Sequence, residues 1–187
     1  MAQGISHIPR HLSYWLVPAA QPLIFFQRLI ESLARAQQAP AFTPHLTIYS
    51  GESPAAESPL SIIPRAMSGV NEIRLRVGGI LYSDQFTKTL FVQFHQSELL
   101  TRITENMRRL SAFPSAYELN PHLSLLYKHM PMDEKQSLAC SLQLPMSEVS
   151  FDAVWAVESE GSPREAGDVM GWRVVCRESL RVDGDAG

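Results

Sequence analysis

Apolar and polar positions along the chain change period several times, and each change marks an element. Leu12 to Val17 is an unbroken aromatic and branched run closed by Pro18, which predicts a buried strand. From Pro22 to Gln37 apolar residues recur at Leu23, Phe26, Leu29, Ile30 and Leu33, the spacing of an amphipathic helix with Pro22 tolerated in its first turn. After Pro40 and Pro44, the branched stretch His45 to Tyr49 predicts a second strand that stops at Ser50-Gly51. Residues 51–64 are dense in Ser, Pro, Ala and Glu and predict an exposed connection with a mobile tip.

Asn71 to Leu81 alternates through Ile73, Leu75 and Val77, and Thr89 to Phe94 is a further apolar run. The polar stretch Ser83 to Lys88 joins them, which predicts a hairpin. Helical spacing returns from Ser97 to Leu110, at Leu100, Ile103, Met107 and Leu110, with Ser97 as the N-cap. Beyond it the pattern predicts a strand within Pro121 to Tyr127, a helix from Met132 to Leu144, and strands at Phe151 to Val157 and Trp172 to Cys176. The tail after Arg181 is acidic and glycine-rich, so residues 182–187 are expected to be disordered.

With 187 residues and 45% hydrophobic content, the chain can fill one core, so residues 1–181 are expected as a single domain, in one body or two joined lobes. The formal charge of −3 comes from 16 basic and 19 acidic residues spread along the chain, which offers no broad cationic face for a duplex. Cys140 and Cys176 are too few for a disulfide framework and too far apart for a zinc or redox pair. The apolar stretch from Leu12 to Phe26 is broken by Pro18, Gln21 and Pro22, and no charged leader precedes it. The expectation is a cytoplasmic monomer with neither signal peptide nor membrane span.

The sharpest feature is a repeat. Each half contains Pro-His-Leu, then Thr or Ser and an aliphatic residue, with a Tyr shortly after: Pro44 to Tyr49 and Pro121 to Tyr127. In a strand, residues two apart share a face, so His45 with Thr47, and His122 with Ser124, each present an imidazole beside a hydroxyl. If a pseudo-twofold axis relates the halves, these groups converge on a cleft between two lobes.

Opening a cyclic phosphodiester requires a proton taken from water on one side of phosphorus and a proton given to the departing ribose oxygen on the other. Two histidines on opposite walls meet both needs near neutral pH, and hydroxyls preset by the strands can donate to the non-bridging oxygens of the transition state. No metal is required by such a scheme, and no cofactor is expected.

The strings His45-Leu46-Thr47-Ile48 and His122-Leu123-Ser124-Leu125 resemble the double His-x-Thr/Ser-x motif of the two-histidine phosphoesterase superfamily. Within it, Pro40 to His45 and Asn120 to Tyr127, with Asp133-Glu134-Lys135 downstream, resemble the plant and fungal cyclic phosphodiesterases, a likeness running from Ser13 to about Cys176. That resemblance implies an α+β, bilobal fold with antiparallel sheets lining a central cleft and helices outside. It implies catalytic roles for His45 and His122 and phosphate-binding roles for Thr47 and Ser124. The small-molecule substrates it implies are ADP-ribose 1″,2″-cyclic phosphate and nucleoside 2′,3′-cyclic phosphates. The aromatics that flank the nucleotide in that family fall on Trp15 and Tyr127. Strand parity complicates this last assignment. Tyr127, five residues beyond His122, points away unless the strand bulges, whereas Tyr49, four beyond His45, keeps parity and is the rival. Alternatives in other classes are cleavage or joining of 2′,5′ linkages in RNA or oligonucleotides, and a nucleotide-binding module without turnover.

Blander readings stand beside these. A lone strand histidine is ordinarily a hydrogen-bonded core residue, and it is the matched context that separates His45 and His122 from that rule. Thr47 and Ser124 also suit strands for their β propensity, and Trp15 suits a core. His7 and His11 have a ligand-like spacing, but Pro9 lies between them and no carboxylate cluster accompanies them, so no metal site is expected there. Arg108 and Arg109 are read as a solvated helix end complementing the helix dipole.

Overall fold

A computed structural model describes residues 10–161 and 164–180. His7 and the 182–187 tail lie outside the described residues. The strands are β1 (Arg10–Pro18), β2 (Leu46–Ser53), β3 (Ile73–Tyr82), β4 (Leu90–Phe94), β5 (His122–Leu126), β6 (Glu148–Ser159) and β7 (Arg173–Ser179). The helices are α1 (Ala20–Gln37), α2 (Pro59–Ala66), α3 (Glu98–Leu110), α4 (Met132–Ser141) and the short α5 (Ala166–Met170). Ser97 caps α3 by accepting a hydrogen bond from the Leu100 amide.

All strand pairs are antiparallel, in the order β2-β1-β6-β3-β4-β5, with β7 also on β6. The split into two lobes occurs within β3. Ile73 to Arg76 pair with β6, whereas Val77 to Tyr82 pair with β4. The register shifts between Val77 and Gly79, and Gly79 adopts φ of +146°, a conformation that favours glycine. The chain thus bends out of one sheet and into the next. One lobe is β2-β1-β6-β7, and the other is the β3-β4-β5 meander. The fold is α+β, as the motif implied.

Two of the helices pack mainly on the lobe other than the one that precedes them in sequence. α1, which follows β1, lies against β5, and α3, which follows β4, lies against β2. Each half therefore lends its helix to the other, burying Phe26, Ile30 and Leu33 from α1 and Leu100, Ile103 and Met107 from α3. At about 25 cal/mol per Å² of apolar surface, this exchange ties the lobes into one core.

Three sequence expectations fail here. The second strand does not stop at Ser50-Gly51 but continues to Ser53, because Leu12 pairs with Gly51 and Ser115 packs on the bare glycine. Residues 51–64 are not an exposed loop. They hold the end of β2 and most of α2, whose Ile62, Ile63 and Ala66 are buried, while α2 packs on α3. Pro59 at the start of α2 is compatible with helix, since an amide there has no intrahelical partner to lose. The fourth helix ends at Ser141, three residues short of the predicted Leu144. No helix among the described residues is long and apolar enough to cross a membrane.

Candidate active site

His45 immediately precedes β2 and His122 opens β5, so the repeat places one imidazole at the start of the edge strand of each lobe. In both, Nδ1 lies 2.7 Å from the carbonyl oxygen two residues earlier, Thr43 for His45 and Asn120 for His122. The intervening residue is proline each time, Pro44 and Pro121, which restricts both its own φ and the residue before it to extended conformations. A carbonyl can only accept, so Nδ1 carries the hydrogen and Nε2 is left as the unprotonated nitrogen of the neutral ring.

The two imidazoles share one cleft of about 290 Å³, whose lining includes Trp15, Thr47, Ser124, Tyr127 and Trp172. His45 is 7% exposed, and burial pushes its pKa down to about 4, against the raising effect of the Thr43 carbonyl. A charge on His122 lowers it further, which places the two rings within electrostatic reach of each other. Burial also lowers His122, opposed by the Asn120 carbonyl and reinforced by Lys88. Both rings are therefore predominantly neutral at pH 7 in the free protein.

The parity question has a structural answer that is the same in both halves. Trp15 pairs with Thr47 and Tyr14 with Tyr49, leaving Ile48 as an extra, bulged residue. On the other side Phe91 pairs with Ser124 and Leu90 with Leu126, leaving Leu125 as the extra residue. Each bulge sits three positions after the histidine and reverses which face the following residues occupy. The Ile48 carbonyl, displaced from the ladder, accepts a hydrogen bond from Thr104 Oγ1 of α3 at 2.8 Å.

The consequences are opposite for the two tyrosines. Tyr127 turns into the cleft, stacked on Phe42 at 4.0 Å. Tyr49 turns away, against the parity expectation. It is 2% exposed, its hydroxyl accepts from the Ser115 amide at 2.9 Å, and it is absent from the cleft lining. Trp15 does line the cleft, but one face of its indole is covered by the His45 ring at 3.6 Å and 13°. Its geometry is that of a support for the imidazole.

The hydroxyls are brought together as the repeat predicted, but they are not equivalent. Ser124 is buried and its Oγ donates to the Thr87 carbonyl at 2.7 Å, whereas Thr47 is only partly buried at the cleft wall.

Several cleft residues were not found in the sequence: His11, Ser13, Ser50, Thr87, Tyr117 and Trp172. For His11 and Ser13 a signal existed, since they stand four and two residues before Trp15 on the same strand face. Trp172 comes from the far end of the chain and meets His45 edge to face at 5.6 Å, a contact with no local signature. Arg108 is also more than a solvated helix end. Its guanidinium donates to the Ser115 and Tyr117 carbonyls and holds the segment that carries Tyr117 to the cleft, where the Tyr117 hydroxyl donates to the Thr47 carbonyl. Among the described residues, no group of three or more His, Cys, Asp or Glu side chains is arranged to hold a metal ion.

The model of a family described as cyclic phosphodiesterase-like protein matches residues 11–180. A cyclic phosphodiesterase of Arabidopsis thaliana is 23% identical over 142 residues, covering 74% of this chain and 78% of that protein. Among solved structures, one of a phosphoesterase superposes with a TM-score of 0.61 at 12% identity, covering 93% of this chain and 100% of the other. Escherichia coli LigT, solved with 3′-AMP, gives a TM-score of 0.58 at 13% identity, covering 94% and 100%. At such identities the structural likeness speaks to the fold.

Proposed function

The chain belongs to the cyclic phosphodiesterase-like family, within the two-histidine phosphoesterases, and is a phosphodiesterase, and from that premise we propose that it hydrolyses ribose cyclic phosphates by paired imidazole chemistry without a metal. The observation that carries this reading is the matched pair of Nδ1–carbonyl hydrogen bonds, which leaves both Nε2 atoms available in one cleft.

In the reaction, one neutral Nε2 accepts a proton from water as its oxygen bonds to phosphorus. The other imidazole, protonated, gives its proton to the departing ribose oxygen as that P–O bond breaks. One phosphate monoester forms, and the two rings have exchanged protonation states. An anionic phosphate between the rings stabilises an imidazolium, which offsets the lowering of both pKa values by burial. Thr47 and Ser124 hold the non-bridging oxygens. For Ser124 this requires its hydroxyl hydrogen to turn from the Thr87 carbonyl to the phosphate. The proposed substrates are nucleoside 2′,3′-cyclic phosphates and ADP-ribose 1″,2″-cyclic phosphate.

The test is hydrolysis of these compounds in excess chelator by wild type, His45→Ala and His122→Ala, with the product phosphate position assigned by phosphorus NMR. Full wild-type activity in chelator and loss of roughly 10²–10⁴-fold in each variant are expected. Activity that disappears with chelator and returns with a divalent ion would overturn the mechanism. Absence of turnover on every cyclic phosphate would redirect the reading to 2′,5′ linkages or to binding alone.

A further inference from the structure

The two halves of the cleft are related by the repeat, yet they differ at one equivalent position. Ser50 and Tyr127 each stand five residues after their histidine, each lies beyond its bulge, and each lines the cleft. One half offers an aromatic ring there. The other offers a hydroxyl bonded to two further polar side chains: His11 Nε2 at 2.8 Å and Ser13 Oγ at 2.7 Å.

The placement of this cluster follows from strand register. His11, Ser13 and Trp15 alternate on the cleft face of β1; Ser13 pairs with Ser50 of β2, and His11 pairs with Ser159 of β6, which also lines the cleft. The polar wall thus begins at Ser13 and Ser50, one step beyond Trp15 and Thr47, and ends at His11, ~13 Å along the strand from Trp15. That is the scale of a nucleoside extending from a phosphate held between the catalytic histidines.

The fold does not require polarity here, since the other half fills the equivalent position with an aromatic side chain. The cluster's members orient one another and keep capacity to spare: a serine hydroxyl has one donor and two lone pairs, and His11 has a second ring nitrogen. Burial lowers the pKa of His11, against the raising effect of Glu52, so the cluster is uncharged at neutral pH and suits a neutral polar partner.

We infer that His11, Ser13 and Ser50 form a subsite for the nucleoside portion of the substrate, hydrogen-bonding a nucleobase edge or a sugar hydroxyl beyond the cyclic phosphate. The inference rests on the cyclic-phosphate reading above for the position of the phosphate.

The experiment compares wild type, Ser50→Ala and His11→Phe by calorimetric titration with nucleoside 2′-monophosphates, the methyl riboside 2′-phosphate that lacks a base, and inorganic phosphate. Ser50→Ala removes a single oxygen and guards against a folding defect in His11→Phe, with thermal melts as the control. Either variant is expected to bind the nucleotides about tenfold more weakly, equivalent to about 1.4 kcal/mol, with inorganic phosphate unaffected. In kinetics the loss is expected in KM rather than kcat. An unchanged base-free riboside then assigns the contact to the base, and an equal loss assigns it to the sugar. Unchanged nucleotide binding, or an equal loss for inorganic phosphate, overturns the inference. If wild type binds nucleotides with this pattern but hydrolyses no cyclic phosphate, the subsite stands and the hydrolytic reading falls. If wild type binds no nucleotide, both fall.

Discussion

The imidazole of His45 lies face to face with the indole of Trp15, 3.6 Å between centroids and 13° between planes. The stack excludes water from one side of the ring, while Trp172 meets it edge-on at 5.6 Å. Together with the Nδ1 bond to Thr43, this leaves His45 little rotational freedom, so orientation and a lowered pKa share one cause. Replacing Trp15 by Leu is expected to admit water, raise the His45 pKa towards 6.5 and lower kcat by roughly tenfold, about 1.4 kcal/mol in the barrier. The acid limb of the pH–rate profile then moves to higher pH. Trp15→Phe restores part of both effects, and NMR titration of the imidazole signals reads the shift directly. An unchanged His45 titration would refute the link.

The wild-type profile carries its own prediction. In kcat/KM the free enzyme needs one neutral and one protonated imidazole, and burial lowers both from 6.5, His45 to about 4. Activity falls as pH drops through the lower pKa, where the base is lost, and falls as pH rises through the higher one, where the acid is lost. The maximum of kcat/KM is therefore expected between about 4 and 6.5. The maximum of kcat lies higher, because bound phosphate favours the protonated ring. A kcat/KM maximum above pH 7 would contradict this assignment.

Thr47 and Ser124 share a role in the proposed chemistry but not in folding. Ser124→Ala strands the Thr87 carbonyl, a loss of about 1–2 kcal/mol in urea unfolding, whereas Thr47→Ala leaves stability within about 0.5 kcal/mol. Both are expected to lower kcat by roughly 10-fold to 10³-fold through weaker hold on the transition-state oxygens. Equal unfolding midpoints for the two variants would show that the Thr87 bond contributes nothing net.

Gly51 is constrained by its neighbour rather than by its backbone. A Cβ added there lies 2.7 Å from Ser115 Cβ, while the Ser115 hydroxyl donates to the Ser50 carbonyl at 2.6 Å. Gly51→Ala is expected to destabilise by about 1–3 kcal/mol through overpacking. Adding Ser115→Gly removes the atom that clashes, so the double variant should be more stable than the sum of the single effects predicts. Additive losses in denaturant unfolding would place the strain elsewhere.

Long periodic elements were legible because their signal is contained in their own residues: α1 and α3 in helical spacing, β3 and β4 in alternation and apolar runs. The helix α2 was not, because Pro59, Pro64 and the Ser-rich approach imitate a loop. Its apolar residues make sense only against α3 and β7, which lie more than thirty residues further along. The exchange of α1 and α3 between lobes was equally hidden, since amphipathic spacing says that a face will be buried but not against which sheet.

What the chain determined by itself was the histidine pair and the local geometry on which the proposed chemistry rests. The Pro-His string sets the Nδ1 bond to a carbonyl only two residues away, and the neighbouring Thr or Ser shares the histidine's face by strand period alone. The tertiary structure decided what surrounds that pair. Whether Tyr49 or Tyr127 enters the cleft depends on the bulges at Ile48 and Leu125, which exist only relative to the strands paired beside them. Trp172 and the His11–Ser13–Ser50 cluster reach the site through pairings between strands far apart in the chain. A bulge reverses every side chain after it, and register is set by partners rather than by the strand's own residues.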